Sequence, residues 1–241
     1  MSAFSSQLRT ELALASRQGE QLLVSLGIPL LVLVFFSVVD VVPTGTDEAV
    51  DYVAPATLAL AVISTSMVSL GIGAGFERQY GVLRRLGASP LGTGRWVAAK
   101  TALVVLTEVL QVVVLVAVAV ALGWRPPAAG WPATLLALAL GTLAFAGIGL
   151  FLAGTLPGLG TLALANGLYL VLLLTGGVIV PLDELPGPLA AVARCLPAAA
   201  LVEATTGSLI TGRSVGTWAW VSLTLWAIAA PFAAVRWFRW D

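Results

Sequence analysis

Apolar residues along this chain come in long unbroken runs separated by short polar connections. That is the pattern of helices facing hydrocarbon, since a helix with one wet side carries polar residues on each turn. Six runs stand out, over residues 22–42, 52–75, 97–122, 131–153, 161–180 and 217–235. A hydrocarbon core of about 30 Å is crossed by about 20 such residues, so each run predicts a transmembrane helix. Breakers fall between them. Pro43, Gly45 and the acids Asp47, Glu48 and Asp51 follow the first run, Gly123-Trp124-Arg125-Pro126-Pro127 ends the third, and Pro157 lies between the fourth and fifth. Gly71, Gly73 and Gly75 in the second run, with Gly141, Gly147 and Gly149 in the fourth, offer places where helix backbones can approach closely.

Two segments depart from this pattern. Residues 1–20 put Phe4, Leu8, Leu12 and Ala15 at helical spacing, with Arg9, Glu11, Arg17, Gln18 and Glu20 elsewhere around the wheel. This predicts an amphipathic helix lying on the membrane surface, and its polar character is not that of a signal peptide. Residues 181–213 open with Pro181, Pro186 and Pro188 and then hold an apolar stretch, 189–201, too short to cross. They read as a re-entrant outer helical hairpin between the fifth and sixth spans. The expected fold is all-α and integral to the membrane: six transmembrane helices, an N-terminal amphipathic interface helix and a short re-entrant hairpin, in a single domain over 1–241.

Composition agrees. The chain is 59% hydrophobic and 10% charged, with a mean hydropathy of +1.01, against roughly 45–50% and 25% for soluble domains. A formal net charge of zero leaves no field for nucleic acid. Histidine is absent and Cys195 is the single cysteine. This removes the commonest metal ligand, the Ser-His and Cys-His pairs and any internal disulfide, so no catalytic or metal-ligating residue is expected. Nine of the twelve cationic residues lie in 1–20, in 77–100 or after 235, and Arg125, Arg194 and Arg213 lie on the other side of the six-span arrangement. The excess of positive charge on inner loops predicts that both termini and the 76–96 loop are cytoplasmic. Trp96, Trp237 and Trp240 would then form an inner aromatic belt, facing an outer one of Trp124, Trp131, Trp218 and Trp220.

Residues 77–100 gather Arg78, Arg84, Arg85, Arg95 and Lys100. Each would cost roughly 2.5–3.5 kcal/mol at the centre of a span, so the segment belongs in water. Tyr80, Leu83, Arg84 and Leu86, stopped by Gly87, read as a short helix with an apolar and cationic face. Ser89 and Pro90 suit the N-cap and first position of a helix leading through Trp96 and Lys100 into the third span. Spacing alone is equally compatible with a basic flank that does no more than fix topology.

The pattern E-R-x-x-G-x-L-R-x-L-x-x-S-P, from Glu77 to Pro90, resembles the cytoplasmic loop of permease subunits in the type-two ABC exporters, which move polysaccharides, antibiotics, lipids and drugs. The resemblance extends over nearly the whole chain. It implies a coupling loop that docks on a separate ATPase, with Glu77, Arg78, Gly81, Leu83, Arg84, Leu86, Ser89 and Pro90 as its positions. It also implies two copies of that ABC ATPase subunit, which hold ATP and Mg, and a second permease chain in a homodimer or heterodimer. The setting would be the lipid bilayer of a prokaryotic plasma membrane, and the role would be to form the translocation path of an ATP-driven exporter. In the hairpin Pro181, Glu203 and Gly212 fit the family, Leu196-Pro197 replaces its Asn-Pro, and Thr206 stands where Arg is usual. This chain would bind no cofactor itself, because a Walker A loop needs a Gly-Lys pair and the one lysine, Lys100, follows Ala98 and Ala99.

Few polar residues fall inside the spans. Glu108 and Gln111 share a face as i and i+3, and either they or Asn166 could line a pathway or bond a neighbouring helix. Asp40 reads as interfacial. An ion-coupled secondary transporter would need several ionisable groups and inverted repeats, and no repeat is evident here. A non-transporting membrane scaffold is the third reading.

Overall fold

The computed structural model describes residues 19–39, 46, 48–87 and 92–239. The expected surface helix over 1–20 therefore lies outside the described residues except at its end, and so do Asp40, Ser89 and Pro90. Every regular element described is helical: α1 Gly19–Val38, α2 Ala49–Gln79, α3 Val82–Gly87, α4 Gly92–Ala121, α5 Trp131–Thr155, α6 Gly158–Thr175, α7 Gly187–Arg194, α8 Pro197–Leu209 and α9 Thr217–Trp237. Helices α2, α4, α5, α6 and α9 are long and apolar enough to cross a membrane. Helix α1 covers most of the first expected span, but its described apolar stretch, Ser25–Val38, is shorter than a crossing. Helices α7 and α8 meet at a bend of 89°, the form expected for the re-entrant hairpin.

The helices are not equivalent. Of the most apolar window in α2, 89% is buried within the chain, against 28% in each of α4, α6 and α9. Helix α2 is thus the trunk on which the others lean, with α5 beside it. Glycines permit that contact. A Cβ on Gly149 of α5 would lie 2.7 Å from the Met67 carbonyl of α2, and one on Gly71 would lie 3.0 Å from the Gly149 carbonyl. Gly141 makes room in the same way for Leu201 of α8, and Gly147 for Pro231 of α9.

Helix α2 contains a seven-residue π-helical segment, Ile63–Ser69. Its i→i+5 bonding widens the turn, a form rare in helices and frequent at functional positions. Helix α6 stops at Thr175, five residues short of the expected Val180. The cause is local: Gly177 takes φ +82, and its carbonyl accepts the Tyr52 hydroxyl at 2.5 Å, pinning the exit of the helix to α2. Trp96 departs from the expected belt. It is 1% exposed, its indole drawn inward by the Glu77 carboxylate, and Trp124 is equally buried, 6.2 Å from Trp131 between ring centroids.

Candidate functional site: the charged segment after the second span

Helix α2 runs past its apolar stretch to Gln79, where Gly81 at φ +71 turns the chain and lets its amide reach the Arg78 carbonyl at 2.9 Å. The reversal lays α3 back against the bundle. Leu83, 2% exposed, enters a small core with Ala74 of α2, Trp96 of α4 and Ala153 of α5. Arg84 and Arg85 face outward, as does Tyr80, whose ring stacks on Phe76. Helix α3 therefore presents cationic side chains on one side while its apolar side is seated on the bundle. The backbone of Leu86 belongs to α3, and its side chain is not among those described.

Three consecutive residues anchor this end of α2. Glu77 accepts from the indole Nε1 of Trp96 at 3.1 Å and pairs with the Lys100 ammonium, both on α4. Arg78 donates from its two terminal nitrogens to the carbonyls of Gly154, at 3.1 Å, and Leu156, at 2.7 Å. Gln79 accepts the Gly158 amide at 2.8 Å. Arg78 thus satisfies carbonyls that the end of α5 leaves over, and Gln79 an amide at the start of α6. The Gly154 carbonyl also accepts the Arg239 amide at 3.1 Å, which brings the carboxyl-terminal segment into the same knot.

The sequence motif is thereby divided in two. Glu77, Arg78 and Leu83 turn inward and join helices, while Arg84 and Arg85 remain available to a partner. Gln79, Trp96 and Lys100 belong to the inward group but are not motif positions. The signal for them is weak: a lone lysine with a tryptophan one turn before it, 23 and 19 positions from the acid they bond.

A second polar group lies within the spans. Glu108, 9% exposed on α4, accepts from Ser66 of α2 at 2.9 Å and from Thr142 of α5 at 2.6 Å. Gln111, 1% exposed, accepts from Thr65 of α2 at 2.8 Å and donates to Ser25 of α1 at 3.4 Å. Asn166 is not brought to this group. It is exposed on α6 and donates to its own helix at the Leu162 carbonyl, 2.9 Å away.

In the hairpin, Pro181 is buried before the short turn Leu182–Glu184, and Pro197 opens α8 at its first position. Glu203 pairs with Arg213 at 2.9 Å, and Gly212 at φ +79 makes the turn that brings the arginine back. Thr206 is 1% exposed and bonds its own helix at the Val202 carbonyl, so the cation beside Glu203 comes from Arg213. Among the described residues no group of three or more acidic, His or Cys side chains converges as metal ligands.

No curated protein matches the chain. The family model described as ABC-2 type transporter matches residues 2–210, and the chain accordingly belongs to that family as a multi-pass transmembrane permease subunit whose ATPase resides in a partner.

Proposed function

We propose that this permease forms the translocation path of an ATP-driven exporter and takes conformational work from an ABC ATPase through residues 77–96. The observation that carries this reading is the two-sided segment: Arg84 and Arg85 point away from the bundle, while the residues just before them grip α4 and the α5–α6 turn. A push on α3 would be delivered to three membrane helices and not dissipated in a loose loop. Two ATPase copies, holding ATP and Mg, would serve two permease chains, alike or different, since one bundle this size encloses little volume. The excess of cations supports a cytoplasmic position for both termini and this segment, with 181–213 outside, and the family resemblance suggests a prokaryotic plasma membrane. Scarce charge within the spans favours an amphipathic or lipidic cargo.

The decisive experiment is the double substitution R84E/R85E, followed by purification of the permease from membranes. It reverses two exposed charges without entering the core, so insertion and yield should match the unaltered chain while the ATPase no longer co-purifies. Retained association would overturn the docking role.

A further inference from the structure

The polar group around Glu108 has no part in docking, yet it lies across the centre of the trunk helix. A carboxylate inside a span is costly, and joining helices alone does not require one, because neutral hydroxyl and amide side chains bond across helices without a charge. What distinguishes this group is the backbone it touches. Its two α2 residues, Thr65 and Ser66, both belong to the π-helical segment Ile63–Ser69. Gly149 backs the same segment from α5, close enough for a Cβ there to meet the carbonyls of Met67 and Ser66 at 2.7 and 3.0 Å. Absorbing one residue from such a turn into regular α-helix would rotate everything after it by about 100° and shift it by about 1.5 Å. The half of α2 beyond the turn is the half that ends in the grip of Glu77, Arg78 and Gln79.

We infer that Glu108 is a positioning residue of the transport cycle: by tying Ser66 of the π-helical turn to Thr142 of α5, it fixes the register between the two halves of α2. Movement imposed at Glu77–Gln79 is then carried into the outer half, whereas without the tie the turn absorbs it. This rests on ATPase coupling through residues 77–96. Glu108 acts through Ser66, so an isosteric amide should serve. In E108Q the amide nitrogen donates to the Thr142 hydroxyl, which turns its own hydrogen to the Leu138 carbonyl 2.9 Å away, and the amide oxygen still accepts from Ser66.

The test uses the permease reconstituted in liposomes with its co-purified ATPase, in a Cys195→Ser background. One nitroxide label is placed at Tyr80 or, in a separate sample, at Val192 of α7, positions that are 66% and 61% exposed. Label mobility is read by electron paramagnetic resonance before and after trapping with Mg-ATP and vanadate. The unaltered chain and E108Q should respond at both labels. E108L should respond at Tyr80 and lose the response at Val192. Should E108L fail to assemble, the pair S66A/T142V removes the same two bonds with less change of volume and should give the same loss. An E108L or S66A/T142V response at Val192 equal to that of the unaltered chain would overturn the inference, as would an unaltered chain that responds at Tyr80 and not at Val192. An unaltered chain silent at Tyr80 would instead sink the coupling reading beneath it.

Discussion

Two glycines show how differently a single residue can matter. At Gly81 a Cβ would meet nothing within 4 Å, but φ is +71. Gly81→Ala should therefore cost about 1–2 kcal/mol through backbone strain alone. At Gly149 the backbone is ordinary and the space is not, since a Cβ would press on the Met67 carbonyl at 2.7 Å. Gly149→Val should cost about 1–3 kcal/mol by overpacking the α2–α5 contact. Unfolding in mixed SDS micelles measures both. Two further changes separate them: Asn, which tolerates the left-handed region, should recover stability relative to Ala at Gly81, whereas Ala to Val should deepen the loss at Gly149 through crowding. The motif made Gly81 legible as a stop, but nothing in the local sequence ranked Gly149 above Gly141 or Gly147, because their partners lie on different helices.

At the scale of elements, the end of α2 acts as a clasp. Arg78 makes two charge-assisted bonds to the exit of α5 and Gln79 one bond to the entry of α6. Arg78→Leu should leave the Leu156 carbonyl short of its close donor, while Gly154 keeps the Arg239 amide, a loss of about 1–3 kcal/mol. The readout is amide exchange in detergent, which should accelerate over residues 156–161 and stay unchanged in α9 away from the knot. Equal acceleration everywhere would mean global destabilisation and would count against a local clasp. The charged motif located this element along the chain. Its internal division was not legible, because an Arg that caps a helix and an Arg that meets a partner look alike in one dimension. Only the fold shows that Arg78 reaches backbone carbonyls 76 and 78 positions away while Arg84 stays outside.

For the whole molecule, the cation distribution predicts opposite faces for α3 and the hairpin. Single cysteines at Arg84 and Asp183 in the Cys195→Ser chain provide the test, since Arg84 is exposed and the Asp183 side chain is 80% exposed. A membrane-impermeant maleimide should label Asp183→Cys in intact cells and Arg84→Cys only after lysis. Labelling of both from one side would reject the arrangement. Folding also places Glu108 and Gln111 where α1, α2, α4 and α5 converge, and leaves Asn166 on an exposed face of α6.

The all-helical membrane architecture, the position of the charged segment and the family resemblance could all be read from the chain before it folds, because each is written in contiguous residues: unbroken apolar runs, a cluster of arginines and one spaced motif. The helices could not be ranked in that way. In water a buried face is apolar and a free face polar, so pattern reveals packing; in lipid both faces are apolar, and that signal vanishes. It took the folded chain to show that α2 is the buried trunk, that its middle is π-helical, and that Glu108 and Glu77 hold it at two levels. Those facts depend on partners far apart in the chain, brought together where glycines let backbones meet.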